Sequence, residues 1–61
     1  MSINERLNEL DKAMVAANDR MTEAYAQNNY RAYFKASADY RKANDEYRDL
    51  LLIDMERSVR A

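Results

Sequence analysis

Tyr25-Ala26-Gln27-Asn28-Asn29-Tyr30 is the stretch whose reading decides the fold. Upstream of it, apolar residues recur at alternating spacings of four and three: Ile3, Leu7, Leu10, Met14, Ala17, Met21 and Ala24. That is a heptad seam on one helix face. Continued past the stretch, the same register falls on Asn28, Arg31, Lys35, Ala38 and Lys42, and is lost. A second seam opens at Tyr33 and runs through Ala36, Tyr40, Ala43, Tyr47 and Leu50, five residues out of phase. At about 100° per residue, a single rod would carry the two stripes roughly 140° apart. A break at Asn28-Asn29 is the simpler reading, because asparagine tolerates the left-handed backbone that ends helices.

Reversal at that point sets Ala24 against Tyr33, Met21 against Ala36 and Ala17 against Tyr40. Met14 then meets Ala43, Leu10 meets Tyr47, and Leu7 meets Leu50. Four of the six layers place a large side chain opposite a small one, as interdigitating cores require. The expected fold is all-α: an antiparallel, coiled-coil-like two-helix hairpin forming one domain over residues 1–61. Helix 1 is expected over about 3–27, the turn at about 28–29, and helix 2 over about 30–59. Ser2 with Glu5 three residues later has the pattern of a capping box. Arg57 and Arg60 fall in the last turn, where the helix dipole favours cations.

Composition agrees. There is no Gly and no Pro, the residues that punctuate sheets and loops. Good helix formers are plentiful. The chain is 48% hydrophobic, too much for a disordered composition, and its net charge of −1 does not by itself seek polyanions. No apolar run approaches the ~20 residues of a membrane span, and the first residues lack the apolar core of a secretory signal. A cytoplasmic protein with no membrane association is the expectation.

A chain of 61 residues buries only about 60% of the surface its unfolded form exposes. Such folds usually need a staple. With neither Cys nor His, disulfides and the commonest metal ligands are excluded, which leaves association. Apolar residues remain to drive it. Leu50, Leu51, Leu52 and Ile53 are consecutive, so they point around the whole helix circumference. Met55 and Val59 extend that patch, while Phe34, Tyr25 and Val15 lie off the seams. Two hairpins pairing into a four-helix bundle is the expected use of such surface, with a different protein as the second candidate partner.

Catalysis is not expected. Ser2, Ser37, Ser58 and Thr22 have no histidine base, the acids lie off the seams, and no Gly-rich phosphate cradle exists. Neither a cofactor, a metal nor a small-molecule substrate is expected. The charges of helix 2 fall at spacings of three and four, including Lys35–Asp39, Arg41–Asp45, Lys42–Glu46, Glu56–Arg60, Asp39–Lys42, Asp45–Arg48 and Asp54–Arg57. They read as supports of an exposed helix. One feature points elsewhere: Tyr30-Arg31, Phe34-Lys35, Tyr40-Arg41 and Tyr47-Arg48 alternate aromatics with bases. Such interleaving can stack on single-stranded nucleic acid. Tyr33, Tyr40 and Tyr47, however, keep seven-residue spacing in the seam, which suits a core role with hydroxyls reaching the rim.

The expected function is therefore a small inhibitor, regulator or adaptor of a larger protein, of a size that suits a phage- or plasmid-encoded factor. Its apolar contacts would be Leu50, Leu51, Leu52, Ile53, Met55, Val59 and Phe34, rimmed by Arg31, Lys35, Arg41, Lys42 and Arg48. RNA or single-strand binding through those same bases is the second expectation. A structural part of a virion or larger assembly is the third.

Overall fold

Ser2 lies in extended backbone, and its hydroxyl accepts a hydrogen bond from the Glu5 amide at 3.2 Å. One of the orphan donors of the first turn is thereby satisfied. From this cap the chain forms two helices, α1 (Ile3–Ala26) and α2 (Tyr30–Arg60). The computed structural model describes residues 2–60. The side chain of Arg60 is outside that description, and with it the expected Arg60 cation at the helix end and the Glu56–Arg60 pair. The helices pack against each other as a hairpin measuring 50 × 15 × 14 Å.

The twin asparagines divide the work of the turn. Asn28 takes the left-handed conformation, with φ at 56°. The Asn29 amide donates to the Ala24 carbonyl at 2.8 Å and the Asn28 amide to the Tyr25 carbonyl at 3.1 Å. That is the pair of hydrogen bonds of a Schellman motif, which satisfies two carbonyls at the end of α1. Asn29 then caps α2: its side-chain oxygen accepts from the Ala32 amide at 3.2 Å, and its carbonyl accepts from the Tyr33 amide at 3.0 Å. A reversal without glycine is possible because one asparagine bears the unusual φ and the other serves both helices. Asn28→Val, a β-branched residue at positive φ, is expected to cost about 1–2 kcal/mol. Asn28→Gly should stay within about 0.5 kcal/mol of the parent. Thermal unfolding separates the two, since 1 kcal/mol moves the midpoint of a chain this size by about 4–8 °C.

Every seam residue named from the sequence is buried or half-buried. The buried set is Leu10, Ala17, Ala24, Ala36 and Ala43. In heptad notation all five are d positions. The a positions Leu7, Met14, Met21, Tyr33, Tyr40 and Tyr47 are half-buried. The seam is thus asymmetric: four alanines close the d side toward the turn, and long side chains emerge from it on the a side. Four alanines and one leucine make a lean core at ~25 cal/mol per Å² of apolar burial.

The helices differ in length, 24 residues against 31. Ile3 of α1 lies level with about Asp54 of α2 in the seam register. The last turn and a half of α2 therefore runs past the start of α1.

Candidate interaction surface

The two long edges of the hairpin differ in chemistry. On the d side, the flanking g positions carry Arg6, Arg20, Asp39 and Glu46. Arg6 bonds Glu46 across the helices and Glu9 within its own helix at 3.1 Å. Arg20 approaches Asp39 at 3.8 Å. The hydrogen bond from Arg6 holds the Glu46 carboxyl below its ordinary range, and bonding to Glu46 and then Glu9 raises the Arg6 guanidinium in turn. These side chains are about half exposed, so they set register and edge identity more than stability.

On the a side, the flanking e positions are Asn4, Asp11, Asn18 and Tyr25 in α1, with Tyr30, Ser37, Asn44 and Leu51 in α2. Outside them lie the b positions Val15 and Phe34, both exposed. Tyr25 and Tyr33 stack obliquely with centroids 6.3 Å apart, and Tyr33 meets Phe34 edge-on at 5.9 Å. Pairs in this geometry contribute beyond their area burial. All the aromatic residues of the chain, five tyrosines and one phenylalanine, fall on a, e or b.

The apolar residues marked out by the sequence are placed in more than one sector. Leu50 is half-buried in the seam. Leu51 and Met55 lie on the aromatic side; Ile53 lies on the ion-paired edge; Leu52 and Val59 point away from the seam. Exposure rises from 37% at Leu51 to 86% at Val59. Phe34 belongs to the turn end, about 25 Å along α2 from Leu51 at 1.5 Å per residue. The exposed apolar residues thus fall in two places, an apolar sleeve around the overhanging end of α2 and an aromatic strip along one side.

The bases Arg31, Lys35, Arg41, Lys42 and Arg48 are all exposed. By helical angle Arg41 and Arg48 form one stripe and Lys35 and Lys42 another, roughly 100–140° away, with Arg31 between them at about 80° from Arg41. The expected ladder of ion pairs along α2 is largely replaced. Among the described residues, only Asp45–Arg48 of that set comes within range, at 4.0 Å. Asp39 and Glu46 turn to α1 instead. A partner across the hairpin competes with one along the helix, and spacing within one helix does not reveal it.

Hydroxyl chemistry is subdued. Thr22 and Ser58 donate to the carbonyls of Asn18 and Asp54, both at 3.1 Å. Two shallow grooves flank the turn end. One is floored by Ala24, Ala32 and Ala36 between Arg20, Lys35 and Asp39, and the other is lined by Asn18, Met21, Thr22, Tyr25 and Tyr33. Each holds about 260 Å³, below the ~300–1,000 Å³ of small-molecule sites. No helix among the described residues is long and apolar enough to cross a membrane. No protein-family model, curated protein or solved structure matches this chain.

Proposed function

We propose that this chain is a non-enzymatic binding protein, an inhibitor, regulator or adaptor that docks its apolar end on a larger protein while two hairpins pair into a four-helix bundle. A cytoplasmic setting goes with that reading. The observation that carries it is the overhang of α2. Leu51, Leu52, Ile53, Met55 and Val59 are all exposed there, beyond or beside the start of α1. Clustered apolar surface on a small chain marks an interaction site. Aliphatic and thioether side chains around one helix end suit insertion into a groove of the target.

The nucleic-acid reading has less support, because its bases are divided between two stripes. Phosphate binding draws on several cations presented together.

The test is capture from host lysate after nuclease treatment, with the parent chain beside Leu52→Asp and Met55→Asp. Both positions are exposed, so helicity by circular dichroism should be unchanged. Recovery of one specific protein by the parent, lost in both variants, is the expected outcome. Recovery that survives both substitutions rejects the overhang as the docking end.

A further inference from the structure

The self-pairing half of the proposed function rests on a lean core and leaves open which surface pairs; the two-sidedness of the seam answers that. We infer that two copies pair through the aromatic side, a, e and b positions inward, about a two-fold axis parallel to the long axis of the hairpin. α1 of each copy then lies on α2 of the other, with both turns at the same end.

Area is the first argument. A folded monomer of 7.2 kDa usually exposes about 4,100 Å². This hairpin exposes 5128 Å², about 1,000 Å² more. A standard interface removes about 800 Å² per partner. One broad side of a 50 × 15 Å body spans about 750 Å² in outline, so a single such side suffices.

Composition is the second. The ion-paired edge is already self-satisfied through Arg6–Glu46 and Arg20–Asp39. The aromatic side holds every aromatic residue together with Met14, Met21 and Val15, and among its a, e and b positions from Ile3 to Leu51 it carries just three charges, Asp11, Arg41 and Arg48. Interface centres are depleted in charge and enriched in tyrosine, phenylalanine and methionine.

Charge then chooses between two symmetric pairings. If the turns lie at opposite ends, α2 runs against α2 and centring the helices brings Arg41 within one residue of the level of Arg48. Like charges so placed are unfavourable. With the turns together, each level of α1 meets the same level of α2 in the partner. The Asp11 carboxylate then comes within one helical turn of Arg48, Tyr25 meets Phe34, and Val15 lies along the aliphatic stem of Arg41. The a residues nearest the axis, Met21 among them, approach their own symmetry mates.

The chain has no cysteine, so one introduced thiol reports on one place. In the full chain, Met21→Cys is expected to cross-link into a covalent dimer under mild oxidation, while Leu52→Cys, facing away from the seam, is not. Sedimentation equilibrium of the parent at tens of micromolar should give twice the chain mass. Asp11→Arg, an exposed change that leaves the fold intact, should weaken the dimer about tenfold, and Arg48→Asp added to it should restore the affinity. A parent that sediments as a monomer overturns the inference together with the self-pairing half of the proposed function, while lysate capture through the overhang would still stand. A dimer that cross-links through Leu52→Cys but not Met21→Cys overturns the pairing side. A charge swap that fails to rescue overturns the symmetry.

Discussion

Replacing Leu10 by alanine should unfold a large fraction of the protein at room temperature. Leu10 is the one large side chain in the buried set, 5% exposed among four alanines. Truncating a buried leucine removes its transfer free energy and leaves a cavity, together about 2–5 kcal/mol. A core of this size rarely supplies more than ~3–5 kcal/mol in total. Urea titration followed by helicity is the measurement. Leu52→Ala, the same chemical change at an exposed position of α2, should move the midpoint little. Equal effects at the two positions would mean that Leu10 does not anchor the seam.

The second large effect comes from adding volume. Ala17 is completely buried, at 0% exposure, level with Tyr40 in the seam. Ala17→Leu inserts three carbons where the d side has closed, and overpacking of this kind costs about 1–3 kcal/mol. Ala16, next in the chain, is exposed, so Ala16→Leu keeps the composition change and loses the steric one. The expected result is a clear drop in unfolding midpoint for the first variant and almost none for the second. A stable Ala17→Leu with unchanged helicity would show that the helices can separate to accept the side chain.

Those expectations rest on layers that were legible in the sequence, for a physical reason. Seven-residue recurrence is a property of one helix face, and the phase jump between Ala24 and Tyr33 can be read without coordinates. The reversal at Asn28-Asn29 was legible too, because few residues besides glycine accept a φ of 56°. The facing of the surface residues was less so. Spacing rules count neighbours within one helix, so they proposed Lys35–Asp39 and Lys42–Glu46. Only the assembled hairpin brings Arg20 to Asp39 and Arg6 to Glu46. The tyrosines were easier to read: a core role with hydroxyls at the rim agrees with Tyr33, Tyr40 and Tyr47, each half-buried on the side where the seam opens. Naming each seam residue as a or d would have put all three tyrosines on one side of the seam. It would also have gathered Tyr25, Tyr30 and Phe34 onto the same strip.

The unequal lengths of α1 and α2 make the molecule modular along its axis. All the paired layers lie between Ile3 and about Asp54, and the turn and a half beyond them shares no interhelical layer. That appendage can be shortened, extended or rewritten, residue by residue, without re-registering the frame that carries it. Substitutions there are expected to leave the unfolding midpoint of the hairpin nearly unchanged.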